Sequence, residues 1–208
     1  MTLADSILKK FSGYQVFTYG DVRRAFWLKE NGRDFARTLS YLKKSGRLHG
    51  VVKGVYTTRA DTLAAGFAFQ PFYYGLRYAL TIMDAWTAMP IPELVTLKRV
   101  KAAKITVFDG SARIMLHHSR PAYFFGFSIM EQGGMRIPVS DPEKTLIDLF
   151  FYKVRLPIQN YSGILNMVER KKLLEYLKAY DGHTRAAVAN FVRRYLSKAK
   201  KGRIESPY

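Results

Sequence analysis

The chain has 208 residues, 34 of them Lys or Arg against 16 Asp or Glu, for a formal net charge of +18. That length accommodates one large or two modest domains, and a 48% hydrophobic content suffices for real cores. The absence of cysteine excludes disulfides, cysteine-ligated zinc and thiol catalysis and fits a reducing interior, while the charge calls for a polyanionic partner.

The opening residues, with Asp5 and two lysines soon after, show no apolar signal-peptide core. The most apolar window, residues 66–86, is interrupted by Gln70, Arg77 and Asp84 and is not expected to span a membrane. The expectation is a soluble cytoplasmic protein with no membrane role.

Leu3, Ile7, Leu8 and Phe11 predict a first helix. Residues 20–26 predict a short second helix, Asn31-Gly32 a turn, and residues 33–44 a third helix. In the third helix Phe35, Leu39 and Leu42 share one face, the one expected to be buried. Arg33, Arg37, Ser40, Tyr41 and Lys44 gather on the opposite face. After Ser45-Gly46, two short apolar runs (48–52 and 55–58) flank Lys53-Gly54, where Gly54 is free to take a positive φ. Helix, turn, helix and two-stranded wing predict a winged helix-turn-helix over residues 17–58, inside a first domain of residues 1–60. Such a module lays one helix in a DNA major groove. The candidate DNA contacts are therefore Arg33, Arg37, Ser40, Tyr41, Lys44 and, at the wing tip, Lys53. An arginine can bridge two acceptors on guanine, and all of these side chains can donate to phosphate. A solvated amphipathic face carries similar charges, but the wing and the charge excess accompany this one.

A second domain is expected over residues 61–200. Residues 59–65 look like a connector. Within residues 72–86, Tyr74, Tyr78 and Ile82 at helical spacing predict a mostly buried helix, broken by Pro90 and Pro92. Residues 93–100, 105–108, 112–117, 123–129 and 136–139 predict strands. Asp109-Gly110 and Gly133-Gly134 supply turns, giving a small, largely antiparallel sheet. Asp141 can cap a helix that has Pro142 at its first position and Glu143 near the positive end of its dipole. Leu146, Ile147, Leu149, Phe150 and Phe151 would bury most of that helix, and Asp148, off its apolar centre, is expected to be solvated or salt-bridged. Two more helices follow, about 164–180 and 184–199, the last with an apolar stripe of Val188, Phe191, Val192 and Tyr195. Residues 201–208 would form a basic flexible tail. The fold class is thus α+β: an N-terminal winged helix-turn-helix plus a C-terminal domain with a small antiparallel sheet and several helices.

Both ends are basic. Residues 1–58 hold 11 basic and 4 acidic residues, a balance of +7, and residues 170–203 hold 11 and 2, a balance of +9. Arg193 and Arg194 therefore join the candidate DNA contacts.

Catalysis finds no constellation. The histidines are His49, His117, His118 and His183; the adjacent pair would sit on a strand and point to opposite faces, which does not suit a shared metal. Gly133-Gly134 lacks the helix start and lysine of a phosphate loop. No enzyme activity, metal or cofactor is expected.

The wing sequence Lys53-Gly54-Val55-Tyr56 and the string Val139-Ser140-Asp141-Pro142-Glu143-Lys144-Thr145-Leu146-Ile147-Asp148 resemble the AbiEi antitoxins. These are the transcriptional-repressor halves of type IV toxin–antitoxin systems. The resemblance runs from the first helix to about residue 180, and the 139–148 string is its more specific part. It implies an N-terminal domain that binds inverted repeats in its own promoter, as a possible homodimer, and a C-terminal domain serving antitoxicity. The functional counterpart in that family is a nucleotidyltransferase-like toxin, paired without assured direct contact. The alternative is a sequence-independent nucleic-acid binder, architectural or RNA-associated, for which 14 Phe and 14 Tyr could supply stacking.

Overall fold

The first helix starts where the sequence supplies a cap. Thr2 Oγ1 accepts from Asp5 N at 3.2 Å and Asp5 Oδ2 accepts from Thr2 N at 3.3 Å, a reciprocal capping box opening α1 (Leu3–Phe11). The same device recurs at Thr18 and Asp21, where Thr18 N donates to Asp21 Oδ2 at 2.7 Å and Asp21 N to Thr18 Oγ1 at 3.1 Å. It opens α2 (Tyr19–Phe26), directly after the two-residue strand β1 (Phe17–Thr18). This structure, a computed structural model, describes residues 2–26, 33–100 and 103–200, the side chains of 33, 34 and 198–200 excepted. The expected turn at Asn31-Gly32 and the tail over 201–208 lie outside the described residues.

Two compact units form, Met1–Gln70 with Lys104–Ile114, and Pro71–Ala103 with Met115–Tyr208. In the first, α3 (Arg33–Lys44) is followed by β2 (His49–Val52) and β3 (Val55–Thr57). The strands order as β1-β3-β2, all antiparallel, with Phe17 opposite Tyr56 and Val52 opposite Val55 across Lys53-Gly54. Ile7, Phe11, Phe17, Val22, Phe35, Leu39, Leu42 and Leu48 form its core. Each such side chain, fully buried, contributes about 1.5–3 kcal/mol. Residues 62–69 wind as a 3₁₀ helix capped by Asp61, so the expected connector is regular structure belonging to this unit.

The second unit departs from the sequence reading first at its opening strand. Residues 72–74 were expected to open a helix; they form β4 (Phe72–Tyr74), and the helix α4 is confined to Leu76–Ile82. β4 lies between β5 (Glu93–Thr96) and β9 (Met135–Ser140), so all three of its residues are buried. A central strand is apolar on both faces, and such a run has no strand periodicity to read. With β7 (Ala112–His118) and β8 (Phe127–Gln132), the sheet order here is β7-β5-β4-β9-β8, while β6 (Lys104–Val107) belongs to the first unit. The pairs β4/β5 and β8/β9 are antiparallel, while β4/β9 and β5/β7 are parallel, which makes the sheet mixed. Gly133 and Gly134, both at positive φ (55° and 68°), close the β8–β9 hairpin in two residues.

Among the described residues, four further α-helices belong to this unit: α5 (Pro142–Phe151), α6 (Ser162–Met167), α7 (Arg170–Leu177) and α8 (Gly182–Lys200). The single helix expected over 164–180 is two, because the chain turns extended at Val168 and Glu169 N donates to the carboxylate of Glu143 at 2.7 Å. Tyr123, expected to open a strand over 123–129, instead ends a 3₁₀ turn (Pro121–Tyr123), and the strand begins at Phe127. Tyr73, Leu76, Leu80, Val95, Leu146, Ile147, Ile164, Leu173 and Val188 build the core. The fold is α+β, as expected.

Candidate nucleic-acid interface

α3 buries Phe35, Leu39 and Leu42 to 1%, 5% and 0% exposure. Helical geometry then turns Arg37, Ser40, Tyr41 and Lys44 outward, and all four are exposed, Tyr41 at 59%. Backbone at Arg33 is the first residue of this helix, but its side chain lies outside the described ones. Arg37, Thr38 and Tyr41 share a hollow with the start of α1 and with Arg47, whose guanidinium meets Asp5 at 3.2 Å. The Thr2 hydroxyl, with Arg47 and the Thr2 backbone, holds the Asp5 carboxyl below its ordinary range, so an acidic group borders this end of the face.

Lys53 is exposed at the tip of the β2–β3 hairpin. Gly54 beside it sits at φ 78°, a conformation that side chains with a Cβ rarely adopt. The Gly54 carbonyl accepts from Tyr19 N at 3.2 Å, which ties the tip to the start of α2.

Sequence reasoning missed what holds the back of this face. Asp109, read as a turn residue, ion-pairs with Lys43 Nζ at 2.7 Å and accepts from Gly50 N at 3.1 Å. A Cβ at Gly50 would stand 2.7 Å from Asp109 Oδ1, so the glycine is what permits the approach. Phe108 and Asp109 both take positive φ, 54° and 53°, to present that carboxylate. Lys43 sits between the buried and exposed faces of α3, and that intermediate position was its only signal.

Arg193 and Arg194 are exposed on α8, in the second unit, with Arg194 Nε donating to Asn190 O at 3.3 Å. The unit's polar centre is elsewhere, in the 139–148 string. Asp141 caps α5 as expected, accepting from Lys144 N at 2.8 Å, and it also accepts from Tyr176 OH at 2.8 Å and pairs with Lys172 at 3.0 Å. Glu143, 2% exposed, pairs with the same Lys172 at 2.8 Å. Burial works against the Lys172 charge, but Glu143 and Asp141 outweigh it and hold the ammonium above its ordinary range. Burial, helped by Asp141, pushes the Tyr176 phenol up to about 12.

Of the two states expected for Asp148, solvated or salt-bridged, it takes the second, and does so fully buried: it is ion-paired with the equally buried Lys144 and accepts from Tyr73 OH at 2.8 Å. Lys144 also donates to Tyr180 OH at 2.8 Å and lies 5.3 Å from the Tyr73 ring centre. Burial pushes the Lys144 ammonium down and the Asp148 carboxyl up, each against the attraction of the other. The i, i+4 spacing of the two was a usable signal for the pair, though not for its burial. With both groups inaccessible, the cluster staples α5 to β4 and to Tyr180 just beyond α7.

His117 and His118 end β7, half-buried and exposed respectively. Burial lowers the His117 pKa. No described helix is long and apolar enough to cross a membrane.

No protein-family model matches the sequence, and no curated protein matches it. Among solved structures, the chain is similar to the RV2827C protein from Mycobacterium tuberculosis, at a TM-score of 0.62 and 12% identity. The match covers 100% of this chain and 83% of that one. At that identity, the likeness is one of fold alone.

Proposed function

We propose that the first unit is a winged helix-turn-helix and that the protein is a DNA-binding repressor of its own operon. One observation carries the reading: α3 turns Arg37, Ser40, Tyr41 and Lys44 to solvent opposite its buried face, and a two-stranded hairpin tipped by Lys53 follows it in the same unit. In that arrangement α3 enters the major groove, Arg37 and Tyr41 meet base edges, and Lys53 meets a phosphate or the minor groove. Arg33, at the start of the same helix, belongs to the same set. Arg193 and Arg194 add phosphate contacts, consistent with the +9 balance of residues 170–203. One module reads a half-site, so two copies on an inverted repeat are the natural assembly.

The resemblance of residues 139–148 to the AbiEi antitoxins extends the proposal: the repressor is the antitoxin of a type IV pair whose toxin is nucleotidyltransferase-like. The second unit serves antitoxicity in that scheme, without requiring a stable toxin complex. A neighbouring gene for such a toxin is the observation that tests this extension.

The second reading, a sequence-independent nucleic-acid binder, rests on the charge at both ends. Titrating the duplex from directly upstream of the gene against a scrambled duplex, over a range of salt, separates the two. A repressor holds a preference for the upstream duplex of about 10³-fold or more. Equal affinities with a shared, steep salt dependence support the second reading instead.

A further inference from the structure

The helical end of the second unit leaves apolar surface uncovered. α8 buries Val188 and Tyr195 in the core, yet its apolar surface continues around the helix to Ala189, Val192 and Leu196, the last 56% exposed. α7 faces it with Leu173 and Leu177, which are buried, and Leu174, which is 53% exposed. With Leu165 and Val168, the three α7 leucines and Val188, Ala189, Val192 and Leu196 of α8 line a groove of about 430 Å³, and among the described residues the rest of the lining is Arg170 and Arg193.

Shape and charge restrict the occupant. Along α8 the lining runs from Val188 to Leu196, about 12 Å at 1.5 Å per residue. That is two helical turns, the span of anchors at i, i+3 or i+4, and i+7 on a docking helix. Among the described residues the lining holds two arginines and no acidic residue, within a segment of 11 basic and 2 acidic residues. A second copy of this chain would set two such basic surfaces face to face, which like-charge repulsion opposes. Carboxylates flanking an apolar stripe satisfy both arginines while the stripe covers the leucines. We propose that this groove receives one amphipathic helix of an acidic protein partner.

The test uses the full chain and two labelled synthetic helical peptides with one leucine pattern, one with glutamates and one with lysines on the remaining faces. Anisotropy titrations of the parent, Leu174→Glu, Leu196→Glu and Arg193→Glu proteins are compared, with circular dichroism confirming that each variant keeps its helices. Both leucines are substantially exposed, so the fold tolerates these changes. The glutamate peptide is expected to bind about tenfold or more tighter than the lysine peptide, to lose about tenfold with either leucine variant, and to lose its advantage with Arg193→Glu. Equal binding of the two peptides, or binding of neither, overturns the proposal. So does self-association in sedimentation runs that Leu196→Glu abolishes, or vesicles of phosphatidylserine captured through Leu196 in place of the peptide.

Discussion

Lys43 and Asp109, 66 positions apart in the chain, are joined by an ion pair of 2.7 Å on the inner flank of α3. The same carboxylate takes the Gly50 N–H at 3.1 Å, so a single side chain connects α3, β2 and the Lys104–Ile114 segment of the first unit. The pair is partly exposed (36% and 52%), which limits its own contribution to at most about 1 kcal/mol. Its geometric effect is larger, because the carboxylate lies where a Cβ on residue 50 would stand, 2.7 Å from Asp109 Oδ1. Gly50→Ala is expected to expel Asp109 and to destabilise the protein by about 1 kcal/mol or more. In an Asp109→Ala background the same change should cost little, since the obstacle is gone. Urea denaturation of the four proteins checks this; strictly additive losses contradict it.

The Asp21 carboxylate gives a pH-dependent prediction. The Thr18 hydroxyl, and then its backbone N–H, hold this carboxyl below the ordinary 3.8. A lowered folded-state pKa contributes stability that is present above the unfolded value and lost as pH falls through the folded one. With the side chain 36% exposed, the contribution is about 0.5–1 kcal/mol. Asp21→Asn should therefore cost that much near neutrality, and the difference should vanish in strong acid. A gap that persists or widens in strong acid, well below the lowered folded-state pKa, would show that the carboxylate is not the source.

Removing one member of the Lys144–Asp148 pair leaves the other charge buried without its counterion. Lys144→Met is expected to destabilise the protein by about 3–5 kcal/mol, while Lys144→Met with Asp148→Leu should recover most of that loss. The check is the folding midpoint of the two single variants and the double variant. A double variant worse than either single one contradicts the account.

Lys53 stands exposed at a turn that its neighbour Gly54 makes possible. Lys53→Gln should weaken binding to all duplexes alike and reduce the salt slope by about one unit. Changed sequence preference without a loss of general affinity would mean that Lys53 touches a base edge instead.

What the sequence disclosed follows from where periodicity survives. α3 keeps one buried and one solvated face, so its limits and its outward residues were legible from the spacing of Phe35, Leu39 and Leu42. The capped start of α5 was legible too, because Asp141, Pro142 and Glu143 act locally. β4 was not, since Phe72, Tyr73 and Tyr74 are buried on both sides and carry no alternation. Nor was the depth of Asp148, which depends on Tyr73 and Tyr180, residues distant in sequence. Asp109 escaped for the same reason: a residue suited to a turn gives no sign that its carboxylate reaches Lys43.

The central claim is that α3 reads DNA sequence, and Arg37 on its exposed face tests it most directly. The measurement is the ratio of affinities for the upstream duplex and a scrambled duplex, at one salt concentration, for the parent and Arg37→Ala. The account predicts a loss of about 1–3 kcal/mol on the upstream duplex, a much smaller loss on the scrambled one, and relaxed preference at one position of the site. Equal losses on both duplexes, or no loss on either, would contradict it.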